Sequence, residues 1–122
     1  MGVEEDIPIK TVLRLIGGKH KIAIVWMLSA GGPKRFSEIR KVLEGDATSR
    51  MLSISLKELE ADGLISKKVL SESPPHTEYA LTTVGMSLIP ILDDLCAWGA
   101  AYQDMVAVKG SLRPRGPAAR CR

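Results

Sequence analysis

Apolar residues recur at spacings of three and four along most of this 122-residue chain. In residues 8–16, Ile9, Val12, Leu13 and Ile16 mark one face of a short first helix. Gly17 and Gly18 break it. Residues 19–30 then run through Ile22, Ile24, Val25, Trp26 and Leu28, a nearly all-apolar helix that belongs at the centre of the core, with Gly31, Gly32 and Pro33 as its stop. Lys34 to Phe36 reads as a short extended link. Ser37 then caps a helix whose Ile39, Val42 and Leu43 face inward and which ends at Gly45.

A second amphipathic helix spans residues 48–62, with Thr48 as its N-cap and Gly63 as its C-terminal stop. Leu52, Leu56 and Leu59 form its buried stripe, while Ser49, Arg50, Ser53, Ile54 and Lys57 lie opposite. The acids Glu58, Glu60 and Asp62 are confined to the far end. Carboxylates near a helix C-terminus oppose the macrodipole and serine is a mediocre helix former, so intrinsic helix stability does not explain this layout. Something outside the helix must.

Residues 64–70 and 77–82 suit short strands, with Tyr79 and Leu81 alternating against polar neighbours in the second. Between them Pro74 and Pro75 exclude helix and imply the tip of an exposed hairpin. Thr82 or Thr83 caps a long last helix whose apolar side carries Leu88, Ile89, Leu92, Leu95, Cys96, Trp98 and Tyr102; Pro90 either kinks it or lies in its first turns. Residues 109–122 are rich in Gly, Pro and Arg and are expected to be disordered.

Length and composition change this picture only in part. The chain is the size of one domain, and its 45% apolar and 25% charged residues are ordinary for a globular protein, while 4% aromatics leaves the core to aliphatic side chains. No uninterrupted apolar run approaches the roughly 20 residues of a membrane-spanning helix, and the acidic start differs from a signal peptide, so a cytoplasmic protein without membrane contact is expected. The net charge of +3 is uneven: residues 109–122 carry five basic residues and no acid, whereas residues 1–9 carry three acids. Overall charge is therefore no argument for a nucleic-acid partner; local clustering has to be. Cys96 and Cys121 lack a partner motif, so neither a disulfide framework nor a zinc site is indicated, and Cys96 reads as an inert core thiol. His20 and His76 are too few for a metal site, and no phosphate-binding loop or triad-like motif occurs, so no cofactor and no enzyme activity are expected.

Helix, short helix, turn, helix and two-stranded hairpin is the order of a winged helix-turn-helix, whose second motif helix enters the major groove of DNA while the wing meets the backbone or minor groove. The stretches IGGKHKIAIVWMLSAGGPKRFSEIRKVL, SRMLSISLKELEADGLI and PPHTEYALTTVGMSLIPILDDLCAWG resemble the HxlR-type family of bacterial transcriptional regulators, over roughly residues 8–103. The resemblance implies an α+β, mostly α, winged helix-turn-helix with N- and C-terminal dimerisation helices. It also implies a homodimer on double-stranded DNA, bound to a pseudo-palindromic operator. Four positions depart from the family pattern. Ile7-Pro8-Ile9 stands where many members have a cysteine before proline, which argues against thiol sensing by that route; His20 replaces a tryptophan, Thr77 a valine, and Ile54 a residue that is commonly polar.

Expected organisation is an acidic N-terminus (1–7), a winged-helix domain (8–106) and a basic tail (107–122). In the recognition helix 48–62, Arg50 is the candidate for a guanine edge, Ser49 and Ser53 for phosphate or base, Ile54 for a thymine methyl and Lys57 for phosphate. Lys34, Arg35, Lys67, Lys68 and His76, the last three in the wing 64–82, are candidates for the backbone. Val12, Ile16, Leu95, Trp98 and Tyr102 are candidates for the dimer seam. Alternatives are a winged-helix protein-interaction adaptor without sequence-specific DNA binding and, less well matched in length, a MarR-like repressor that senses a small molecule. Repression is favoured over activation. The effector, if there is one, is not legible.

Overall fold

The computed structural model describes residues 7–18, 20–70 and 76–108, the last two of these in backbone only. The expected hairpin tip at 71–75 and the tail at 109–122 lie outside the described residues. The chain divides into two units, residues 1–86 and 87–122.

The first unit holds α1 (Pro8–Ile16), α2 (Lys21–Gly31), β1 (Lys34–Arg35), α3 (Phe36–Val42), α4 (Ser49–Ala61), β2 (Ile65–Leu70), β3 (His76–Leu81) and the start of α5 (Thr83–Val108). Pro8 opens α1 at a position where its missing N–H costs nothing. In α2, Ile24, Val25 and Leu28 are buried, and the helix packs on β3 and α4. The Leu52, Leu56 and Leu59 stripe of α4 is fully buried as its spacing predicts, joined by Ile39 and Leu43 from the α3 region and by Leu64, Ile65 and Tyr79 from the sheet. Burying one such leucine stabilises by about 1.5–3 kcal/mol before chain entropy is counted, so the stripe fixes which way α4 faces.

Three local readings need correction. Val42, expected to face inward with Ile39 and Leu43, is exposed at the end of α3. Ser37 does not cap α3, because the helix begins at Phe36, two residues earlier than that cap implies: the Arg35 N–H donates to Glu38 Oε1 at 2.8 Å, so the carboxylate reaching back from the first turn satisfies the helix start. The link at Lys34 and Arg35 is a strand. It joins β3 opposite Tyr79 and Glu78, giving a three-stranded antiparallel sheet in the order β1-β3-β2 in place of a simple hairpin. Two residues are too few to show alternation in a sequence.

The root of the wing is a tight corner. The Thr82 N–H donates to Leu64 O at 3.1 Å, the Thr82 hydroxyl donates to Gly63 O at 2.6 Å, and the same oxygen accepts the Gly85 N–H at 3.0 Å, which makes Thr82 the cap of α5. Gly85 is buried here, and a Cβ on it would collide with the Leu64 carbonyl oxygen. Gly63, at φ +81°, supplies the left-handed residue that ends α4.

In the second unit α5 continues through Pro90, with Ile89 and Leu92 buried. Residues 83–106 are long and apolar enough to cross a membrane by length and composition. The contrary expectation rested on uninterrupted apolar runs, and Asp93 and Asp94 divide this one. Cys96 is disulfide-bonded, which corrects its reading as an inert thiol. Spacing along a chain says nothing about which sulfurs approach within bonding distance. Cys121 lies outside the described residues.

Candidate nucleic-acid interface

The Met51 N–H donates to Thr48 Oγ1 at 3.1 Å and the Leu52 N–H to Thr48 O at 3.0 Å, so the N-cap read from the sequence holds the first turn of α4. The amides of Ser49 and Arg50 stand outside the helical ladder, at the positive end of the dipole. Ser49, Arg50, Ile54 and Lys57 are exposed and Ser53 is half-buried, so the buried leucines turn this set outward together. From Ser49 through Lys57 no acid interrupts it.

The remaining basic candidates do not form one patch. In register, Lys67 stands opposite Tyr79 and Lys68 opposite Glu78. Successive side chains on a strand point to opposite faces, so the two lysines lie on opposite sides of the wing. Lys67 shares its face with Tyr79 and Lys34; Lys68 shares the other with Glu78 and Arg35, where the single carboxylate lies between two cations. Lys34 is half-buried, and its Nζ lies 2.8 Å from where a Cβ on Gly31 would stand, which puts the ammonium at the negative C-terminal end of α2. His76, opposite Leu70 at the outer end of the sheet, is half-buried.

An open groove of about 580 Å³ separates the outer face of α3 from the start of α4, and Arg40, Lys41, Thr48 and Ser49 are among its lining residues. The basic pair Arg40 and Lys41 was not singled out from the sequence, because α3 was read only for the residues it buries. The signal was there, as two adjacent cations among residues at exposed helical positions. Burial, with the charge of Glu60 as a second cause, pushes the Tyr79 phenol above its ordinary value. No group of three or more metal-ligating side chains occurs among the described residues.

The sequence profile of the HxlR-like helix-turn-helix family matches residues 15–107. The chain belongs to this family. An uncharacterised HTH-type transcriptional regulator of Halalkalibacterium halodurans is 44% identical over 100 residues, covering 82% of this chain and 88% of the relative. The crystal structure of YtcD, an HTH-type transcriptional regulator of Bacillus subtilis, superposes with a TM-score of 0.72 at 41% identity, over 84% of this chain and 97% of YtcD. The redox regulator HypR in its reduced form superposes with a TM-score of 0.74 at 37% identity, over 84% of this chain and 99% of HypR. This HxlR-like chain is thus a helix-turn-helix transcriptional regulator, not an enzyme, and the winged-helix fold inferred from its motifs holds.

The helices that flank the HxlR-like core carry the dimer candidates. On α1, Val12 and Ile16 are half-buried within the chain, while Ile9 and Leu13 are the exposed apolar pair. On α5, Leu95, Trp98 and Tyr102 are exposed, and Ile91 and Met105 extend them into a stripe at alternating spacings of four and three. The Trp98 and Tyr102 rings stack with centroids 5.5 Å apart. That alternation is the pattern of a coiled-coil seam, and the sequence reading picked out only its middle because Ile91 and Met105 were not counted to the apolar side.

Proposed function

We propose that this regulator binds a pseudo-palindromic DNA operator as a homodimer in the cytoplasm and represses the promoter it occupies. The observation that carries the reading is the outward face of α4: an acid-free run from Ser49 to Lys57, presented by a buried leucine stripe and headed by unpaired amides. Such a helix end offers N–H groups and a positive dipole to phosphate, small serines that let the backbone approach, and Arg50 as a bidentate donor to a guanine edge. Ile54 meets a thymine methyl, and Lys57 a phosphate. Arg35, Lys67, Lys68 and His76 flank the reading helix on the backbone, with Arg40 and Lys41 added by the groove beside it; Lys34 contributes least, being turned toward α2.

The dimer seam is the α5 stripe Ile91, Leu95, Trp98, Tyr102 and Met105. Five large apolar side chains exposed at coiled-coil spacing favour a second copy, and two reading heads suit half-sites about 34 Å apart.

The test is selection of random duplex DNA by the purified protein at about physiological salt, followed by sequencing. Enrichment of an inverted repeat with half-sites about one helical turn apart is the expected result. No enriched sequence, with residual binding lost when residues 109–122 are removed, would overturn it in favour of a protein-interaction adaptor.

A further inference from the structure

Two of the three acids at the far end of α4, unfavourable to their own helix, have cationic partners. Glu58 Oε1 lies 3.0 Å from Lys21 Nζ, and Asp62 Oδ1 lies 3.3 Å from Arg14 Nη1. The two acids are one turn apart, Glu58 in the last turn of α4 and Asp62 at its C-cap; the two cations come from α1 and from the first residue of α2. Each bridge pairs a sheltered group with an exposed one: the Lys21 side chain is 7% exposed against 54% for Glu58, and Asp62 is 18% exposed against 65% for Arg14.

Lys21 occupies a made slot. A Cβ on Gly18 would come within 2.9 Å of three carbons of the lysine stem, so the absence of a side chain at Gly18 is what lets that stem lie buried while its ammonium reaches Glu58. The bridges lie along an open cleft of about 370 Å³ whose lining also includes Gly18 and Ala61. Partly exposed ion pairs add little stability, so their effect here is local: one on the last turn of α4 and one on its C-cap tie that end of the helix to α1 and α2.

We propose that Lys21 and Arg14 are positioning residues for operator recognition. Within the orientation that the leucine stripe imposes, they pin the C-terminal end of α4 through Glu58 and Asp62 and so trim the aim of Arg50 and Ser53, without touching DNA. This rests on the operator-binding reading above. It also answers why carboxylates stand where the helix dipole opposes them.

Two variants separate positioning from charge. Lys21→Met keeps the buried stem and removes a positive charge; Glu58→Gln keeps shape on an exposed side chain and removes a negative one. Simple electrostatics would weaken binding to all DNA in the first and strengthen it in the second. Positioning requires both to lower affinity for the selected operator, by about ten-fold, the size of a typical coupling between linked sites. Affinity for random duplexes changes less than about two-fold, the double variant is no worse than either single one, and the salt dependence of operator binding keeps its slope. Equal losses on operator and random DNA with a lowered melting temperature would make Lys21 merely structural, and a salt slope reduced by about one would make it a phosphate contact; either overturns the proposal. Hydrogen exchange on the free protein tests the same idea without DNA: Lys21→Met is expected to speed exchange in residues 58–62 of α4, and unchanged exchange there overturns it. A wild-type protein that selects no sequence but shows this local loosening refutes the operator reading alone.

Discussion

Arg50 and Lys67 are both exposed cations, and only their settings distinguish them. Arg50 sits in the first turn of α4, within a set that the leucine stripe orients as a unit; Lys67 stands on a short strand of the wing. Arg50→Ala is therefore expected to cost about 1–3 kcal/mol on the operator and to relax preference at one base pair, whereas Lys67→Ala weakens all duplexes alike and lowers the salt slope by about one. Competition binding against operator and random DNA checks the division, and equal losses from both variants on both duplexes would undo it. Tyr79 gives a prediction of a different kind. Burial first and the charge of Glu60 second raise its phenol above the ordinary tyrosine value of about 10. Because the folded value exceeds the unfolded one, the associated stability is fully present below pH about 10 and is lost as pH rises through the raised value. Wild type should lose stability relative to Tyr79→Phe only above that point, as melting curves between pH 8 and 11 would show; a constant difference across the range would refute the assignment.

Among the elements, legibility followed the number of residues that carry each signal. The α4 helix was read correctly because Thr48, three leucines and Gly63 all agree on its start, face and end. At the start of α3 the rule for capping serines pointed to Ser37, but Glu38 reaching back to the Arg35 amide decided the boundary, which a residue-by-residue preference does not weigh. The strand β1 showed only as a short extended link, since its pairing depends on β3, which comes more than forty residues later. The sequence likewise grouped Lys67 and Lys68 as one basic pair, although the register divides them between two faces. The corner at Thr82 yields a prediction at this scale. Gly85→Ala would push a methyl into the Leu64 carbonyl and the Leu81 side chain, so a loss of about 1–3 kcal/mol is expected from overpacking, measurable by denaturant titration. An unchanged midpoint would mean that the corner yields easily.

For the whole molecule, the family and fold were legible from ordered motifs. The outer extent of the α5 stripe was not, because deciding which apolar residues of a long helix stay exposed requires knowing what else is packed. That stripe makes the dimer testable. Trp98→Glu places a charge in the middle of it and is expected to convert a dimer to a monomer in analytical ultracentrifugation and to abolish cooperative occupation of two half-sites, while leaving the fold intact because Trp98 is exposed. A wild-type monomer at concentrations that saturate the operator would contradict the arrangement. The fully buried face of α4 has one more implication. Leu52, Leu56 and Leu59 hold the helix from within, so the residues that face outward can be exchanged with little effect on folding. On the proposed operator reading, address and architecture are inherited separately: a few substitutions at Ser49, Arg50, Ile54 and Lys57 would redirect a duplicated copy of this protein to a different set of genes while keeping its scaffold.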